Sequence, residues 1–337
     1  MSSKPDPKDA KGVIIKNDSF LDKSLRPDNW TEYIGQENIK NNVKILLNAA
    51  SLRNHPPEHL LFYGPPGLGK TTLAYLIAKE LGSQIKSTSG PAIEKVSDLA
   101  SILTNLEPGD ILFIDEIHRL NKMIEEVLYP AMEQGSLNII IGKGPGARVI
   151  QLELPPFTLI AATTRIALLS APLRSRFSGG THRLEFYTEE DISKIIKRSA
   201  NILDTNIEDG AITEISKRSR FTPRIANQLL KRARDYAEVK NLPLSYSTVN
   251  EALNMLGVDN IGLSTADKAV LLALAEKFNG GPVGLNTLAT SIMEEEATIE
   301  DVYEPYLIQC GLIERTPRGR QLTTKGYDHL GLIPPNN

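Results

Sequence analysis

Three short apolar runs organise the first half of the chain: "HLLFY" stops at Gly64, "DILFI" at the carboxylates of Asp115 and Glu116, and "FTLIAA" at Thr163 and Thr164. Unbroken runs of this kind, set between helical patterns, predict parallel strands buried on both faces and hence an α/β core. A glycine turn and a helical pattern, "KTTLAYLIAKELG", follow the first run directly. After Tyr187 the texture becomes helical. Thr188 with Glu190 and Asp191 predicts a helix start, and no strand-like run recurs until near the end. "LGVDNIGLS", with Gly257 and Gly262, predicts a linker before "STADKAVLLALAEKF" opens a third unit. That unit ends in "GLIERTPRGRQLTTKG", two short segments about a Pro-Arg-Gly turn. Helices followed by such a hairpin predict a winged helix. The expected organisation is a mobile polar arm at 1–23, a large α/β domain at 24–187, a small helical domain at 188–258 and a winged-helix domain at 259–337.

Composition narrows this picture without changing it. Of 337 residues, 41% are hydrophobic, enough for ordinary cores, and no run approaches the length of a membrane helix. The first residues, "MSSKPDPKDAKG", lack an apolar signal core, so a cytoplasmic protein is expected. The single cysteine, Cys310, sits in the apolar run "PYLIQCGLI" and reads as a small core residue rather than a nucleophile. The net charge is −3 and no segment is globally basic, so any case for nucleic acid rests on local charge placement.

The chemistry is carried by "GPPGLGKT". Gly64, Gly69, Lys70 and Thr71 satisfy the phosphate-loop spacing between a strand and a helix, with Gly67 and Leu68 inside the loop and Thr72 just after it. Glycines let backbone N–H groups curl around phosphates at a helix N-terminus. Lys70 then brings a cation to the β and γ oxygens, and the Thr71 hydroxyl ligates Mg²⁺. Asp115 and Glu116 end the second run at the same sheet edge. There Asp115 would hold magnesium through water and Glu116 would polarise the attacking water; the alternative is a helix-capping acidic pair. Thr164 is placed to orient that water or report on the γ-phosphate, or simply ends its strand.

Further arginines suggest how turnover is organised. Arg174 and Arg176 in "APLRSRF", otherwise ordinary surface arginines, resemble the segment by which AAA+ ATPases place an arginine in a neighbouring subunit's nucleotide site. Arg176 is the expected finger and Arg174 its accessory. Arg224 in "FTPRIANQLL" opens a helix at the sensor position of an AAA+ lid, or makes a helix-start salt bridge.

With "LRPDNWTEYIGQ", "EEVLYPAME", "GGPVGLNTLA", "TIEDVYEPYLIQCGLIERTPRGR" and "LTTKGYDHLG" added in order, the chain resembles the RuvB family from about Ser24 to Leu330. The resemblance implies an AAA+ P-loop core with helices on both faces of a parallel sheet, a small helical lid domain and a C-terminal winged-helix domain. It implies ATP and Mg²⁺ as cofactors and homohexameric rings around double-stranded DNA at Holliday junctions. RuvA and RuvC are the implied partners in recombination and repair, with no membrane involved. Residue by residue, it implies adenine and ribose contacts at Leu25, Arg26 and Tyr187, and phosphate and magnesium contacts at Gly67, Lys70, Thr71 and Thr72. Arg224 becomes the lid sensor, Glu133 a neighbour of the interfacial nucleotide, and Arg315 and Arg320 DNA contacts, with Arg318 on the same turn. The departures are local: "AMEQGSL" follows Ala131 where "AMEDF" is usual, "SGG" follows "SRF", and Phe221 stands where the family has glycine.

"SLNIIIGKGPGARVIQLEL" reads independently as an inserted hairpin with more apolar residues than one buried face needs, among them Ile139, Ile141, Val149 and Ile150. In the family this hairpin docks on RuvA; the alternative is a hairpin packed on its own core. Two other function classes predict different endings or different residues. A clamp-loader-like switch would end in a helical collar rather than in Arg315, Arg318 and Arg320, and a non-catalytic nucleotide-gated DNA binder would lack Glu116 or Arg176.

Overall fold

The structure is a computed structural model that describes residues 24–141 and 148–334, with backbone alone at 139–141, 148 and 149. The arm expected at 1–23 lies outside the described residues. The chain divides into two compact units, 1–187 and 188–337.

In the first unit, helix α1 (Glu37–Leu52) precedes strand β1 (Leu60–Tyr63), and α2 (Lys70–Leu81) leads to β2 (Ile85–Ser89). Then come α3 (Val96–Thr104), β3 (Ile111–Asp115), α4 (Lys122–Gln134), the antiparallel hairpin β4 (Ser136–Ile141) and β5 (Arg148–Glu153), and β6 (Thr158–Thr163). The unit closes with α5 (Ala171–Arg174) and β7 (Gly180–Arg183). Five strands form one parallel sheet in the order β2-β3-β6-β1-β7. The three apolar runs become its central strands, as the pattern predicts. Leu60, Leu61, Phe62, Ile111, Leu112, Phe113, Ile114, Leu159 and Ile160 are all buried. In-register pairs such as Leu61 with Ala161 and Ile111 with Thr158 bring the ends of β1, β3 and β6 to one edge. The root of the hairpin packs on the core through buried Leu137, whereas Ile150 is 43% exposed. The side chains of Ile139, Ile141 and Val149 lie outside the described residues.

The second unit begins with four helices, α6 (Glu189–Ile202), α7 (Asp209–Arg218), α8 (Pro223–Lys240) and α9 (Tyr246–Met255). Thr188 caps α6 by accepting from the Asp191 N–H. After the linker come α10 (Thr265–Leu272), α11 (Leu285–Ile292), α12 (Glu304–Gln309), the antiparallel hairpin β8 (Ile313–Thr316) and β9 (Gly319–Leu322), and α13 (Thr324–Leu330). Val283 pairs with Arg320 and adds a third, short bridge to the wing. At Gly319 a Cβ would stand 2.1 Å from the Val283 carbonyl oxygen, so only glycine lets the wing approach this closely. Cys310 is half-buried against the cluster around Leu307 and Leu312, and burial raises its thiol pKa. Among the described residues no helix is long and apolar enough to cross a membrane.

The joint between the four-helix segment and the winged helix is closely packed. Arg218 is buried and donates to Glu214, Asn250, Asn254 and the Val258 carbonyl. Beyond Ser219, Arg220 and Phe221 both take left-handed backbone angles, φ 54° and 53°. Each costs on the order of 1–2 kcal/mol for a residue with a Cβ. Arg220 pairs with the fully buried carboxylate of Asp267, donates to the Gly262 carbonyl at 2.8 Å and lies over the Tyr306 ring. The Phe221 ring packs on the winged-helix core. These contacts offset the strain of placing phenylalanine where the resemblance leads one to expect glycine.

Candidate nucleotide site

The loop between β1 and α2 turns on three glycines with positive φ: Gly64 at 139°, Gly67 at 81° and Gly69 at 99°. A Cβ on Gly64 would stand 2.7 Å from the Leu184 carbonyl oxygen. Lys70 begins the helix and is buried. Its Nζ donates to the Gly64 carbonyl at 2.7 Å and the Pro65 carbonyl at 2.8 Å, inside the curl of the loop. Leu68 is buried beneath the loop and Thr72 is half-buried in the first turn of α2.

The Thr71 hydroxyl lies 3.4 Å from the Asp115 carboxylate. A hydroxyl and a carboxylate, both oxygen donors, beside a phosphate cradle suit Mg²⁺, which takes few protein ligands and completes its shell with water and phosphate. The residues present therefore fit the expected metal.

Glu116 follows β3 in the left-handed region, φ 48°. Its Oε2 accepts from the Thr164 hydroxyl at 3.1 Å and the Thr164 N–H at 3.4 Å, and His118 Nδ1 approaches it to 3.1 Å. His118 Nδ1 also lies 2.9 Å from the hydroxyl of buried Thr163. The structure thus brings Lys70, Thr71, Asp115, Glu116 and Thr164 together at one sheet edge. Sequence reasoning missed His118 and Thr163. Their only signal was position: His118 stands two residues after Glu116 in "DEIH", and Thr163 is the last residue of its strand.

Behind the loop, Leu25 and Tyr187 are both buried. The Tyr187 hydroxyl donates to the Leu68 carbonyl at 3.0 Å and meets the Tyr33 hydroxyl at 3.5 Å. Burial, then the neighbouring Tyr187, pushes the Tyr33 phenol well above its ordinary pKa, so Tyr33 stays neutral. The Arg26 guanidinium lies 5.5 Å from the centre of the Tyr75 ring on α2.

Arg174 is exposed, while Arg176 is not extended into solvent. Its side chain is 19% exposed and lies flat on α4. The guanidinium sits 4.3 Å from the centre of the Tyr129 ring, pairs with Glu133 at 3.2 Å and donates to the Pro172 carbonyl at 2.6 Å. Its Nε is buried with no hydrogen-bond partner among the described residues. Tyr129 is fixed in turn by Ser170 at 2.9 Å and by buried Glu125 at 3.2 Å. The "SGG" segment that follows is tied to the sheet: the Gly179 N–H donates to the His59 carbonyl at 3.0 Å and Gly180 opens β7 beside Leu60.

Arg224 belongs to the second unit, exposed in the first turn of α8. On the wing, Arg318 is exposed at the turn, whereas Arg315 and Arg320 both bind Glu304. Arg320 is only 11% exposed, less available to a ligand than the sequence suggests.

Residues 25–184 match the family described as the Holliday junction DNA helicase RuvB P-loop domain. Residues 187–259 match the RuvB AAA lid domain, and 260–331 the RuvB C-terminal winged helix domain. Among solved structures, the Thermotoga maritima RuvB Holliday junction branch migration motor is 48% identical with a TM-score of 0.84, over 93% of this chain and 100% of its own. A mutant of that Thermotoga maritima protein is likewise 48% identical with a TM-score of 0.85, over 92% of this chain and 99% of its own.

Proposed function

The chain belongs to the RuvB family, and from that premise we propose that it is an ATP-driven motor that moves duplex DNA and so drives branch migration of Holliday junctions. The observation that carries the reading is the cluster at the sheet edge: a phosphate cradle with Lys70 inside it, Thr71 beside Asp115, and Glu116 held by Thr164 and His118. Lys70 and the N-terminus of α2 hold the β and γ phosphates. Thr71 and Asp115 would hold Mg²⁺, which when bound would supply positive charge beside the phosphate oxygens. Glu116 orients and polarises water for attack on the γ-phosphorus, giving ADP and phosphate. Arg176, with Arg174 beside it, acts on the nucleotide of the adjoining subunit in a homohexamer, and Glu133 is its seat between turnovers. Leu25, Arg26 and Tyr187 flank the adenosine, and Arg224 reports phosphate occupancy to the lid. The winged helix follows the duplex backbone with Arg315 and Arg318, RuvA and RuvC act on the same junction, and the work takes place in the cytoplasm.

The division between binding and chemistry is tested at Glu116. Glu116→Gln keeps size and hydrogen bonding but cannot take up the proton of the attacking water. Hydrolysis is expected to fall by about 10²–10⁴-fold, while ATP still co-elutes with the protein in gel filtration. Normal turnover, or loss of ATP binding, would remove Glu116 from this role.

The function as a whole is tested on a synthetic four-way junction. ATPase rates with and without duplex DNA and RuvA should rise with both, and labelled arms should separate only when ATP is hydrolysed. The hairpin supplies the partner arm, because Ile150 is an exposed apolar side chain beyond the buried root at Leu137. Ile150→Asp should depress RuvA-stimulated arm displacement much more than ATPase without DNA. An equal loss of both would mean that the hairpin serves only its own domain.

A further inference from the structure

Arg315 and Arg320 stand directly opposite each other across β8 and β9. Like charges so paired repel, with Cβ atoms only about 4.5–5.5 Å apart, and the wing nevertheless presents them together. The reason lies in Glu304 at the start of α12, whose residue is 1% exposed. Its Oε1 accepts from Arg315 Nε at 3.0 Å and Arg320 Nε at 3.1 Å, and its Oε2 from Arg315 Nη2 at 2.9 Å and Arg320 Nη2 at 3.0 Å. One buried carboxylate is thus gripped by two guanidinium forks, each through its Nε–Nη2 edge, which leaves both Nη1 groups outside the contact. Burial alone would raise the Glu304 pKa, but the hydrogen bonds from Arg315 and Arg320 outweigh it and hold the group ionised.

The two arginines then differ. Arg320 is 11% exposed, and its backbone is bonded both ways to Val283, its N–H donating at 2.8 Å and its carbonyl accepting at 2.9 Å. Arg315 is 50% exposed, and its Nη2 also meets Glu300 at 3.0 Å, a carboxylate that is itself 42% exposed. Arg315 Nη2 is thus shared between two carboxylates, and a phosphate that takes up this edge of the guanidinium competes with half-exposed Glu300.

We propose that two carboxylates with opposite effects set the wing's grip on DNA: Glu304 is a positioning residue that orients Arg315 through the Arg320 brace, and Glu300 is a covering anion that phosphate displaces from Arg315. This rests on the reading of β8 and β9 as a DNA-binding wing. The two effects have opposite signs, and simple electrostatics gets one of them wrong. Removing any negative charge near a phosphate-binding arginine should tighten binding on Coulombic grounds alone. For Glu300→Gln that is the expectation, by up to about fivefold, the scale of an exposed ion pair. For Glu304→Gln the order of Arg315 is lost with the charge, and binding weakens by about tenfold or more, the scale of a charge-assisted hydrogen bond.

The measurement is fluorescence anisotropy of a labelled duplex of arbitrary sequence with the full-length chain, across a salt series, with thermal unfolding of each variant alongside. Glu304→Gln should also flatten the dependence of log K on log salt by about one phosphate contact, a change that destabilisation alone would not produce. A Glu304→Gln variant that melts like the parent and binds as tightly or more tightly overturns the proposal. If that variant does not fold, Glu300→Gln decides alone: tighter binding supports the proposal, and unchanged or weaker binding overturns it. Arg315→Ala separates the premise from the inference. If it binds like the parent, the wing reading itself falls and the proposal with it; if it weakens binding while Glu304→Gln does not, only the proposal fails.

Discussion

Lys70→Ala is expected to abolish ATP hydrolysis, with a loss on the order of 10³-fold or more in turnover, since one preorganised charged donor aimed at transferring phosphate is worth at least that much. The geometry makes the residue hard to replace. Its Nζ is buried inside the loop, on the carbonyls of Gly64 and Pro65, where a water molecule cannot substitute for a tethered cation. The same contacts predict a smaller second effect. Alanine leaves two loop carbonyls without this donor, so the variant should also melt a few degrees lower, since losing a partner of a buried polar group costs about 1–3 kcal/mol. Steady-state phosphate release measures the first effect and calorimetry the second. A variant that unfolds like the parent and still hydrolyses ATP at the parental rate would remove this loop from the chemistry.

Subunits carrying Arg176→Ala should be inactive alone and should regain hydrolysis when mixed with subunits carrying Lys70→Ala. The first keep an intact phosphate loop and the second an intact arginine, so some interfaces in a mixed ring hold both. An arginine supplied in trans is worth about 10³–10⁵ in turnover, so even sparse intact interfaces stand out against the background. The seat of Arg176 gives the prediction a physical basis. Tyr129, Glu133 and the Pro172 carbonyl hold the guanidinium at the surface of α4, while its buried Nε has no hydrogen-bond partner among the described residues. An ion pair with half-exposed Glu133 contributes only about 0.2–1 kcal/mol, little against a triphosphate. Hydrolysis without DNA is the readout, because a ring that must fire in sequence could stall with only some sites intact. If native mass measurement finds mixed rings at every ratio and none hydrolyses ATP, Arg176 does not act across an interface.

The central strands and the phosphate loop were legible in the sequence because both are local signals. Burial on two faces writes an unbroken apolar run, and phosphate binding demands glycines and a lysine at fixed short spacing. The edge strands were not legible. β2 reads "IKSTS" and β7 reads "GTHR", each half in solvent, and their extended form is imposed by pairing with β3 and β1 rather than by their own residues. Contacts distant in sequence were equally silent. The Tyr129, Glu125 and Ser170 cluster under Arg176 joins residues up to 45 positions apart, and Glu304 meets its two arginines only once α12 and the wing have folded together. From the sequence, Arg315 and Arg320 were indistinguishable. Burial and a shared carboxylate separate them into a half-exposed cation and a brace.

The joint at Arg220 and Phe221 bears on mechanical efficiency. A soft linker between a driving element and a load acts as a spring in series: it stretches first, and part of each stroke is dissipated before the load moves. Here two strained backbone positions, a guanidinium seated on buried Asp267 and a phenyl ring pressed into the winged-helix core leave little to stretch. For the proposed motor, a displacement imposed on α8 is therefore expected to reach the wing with little loss.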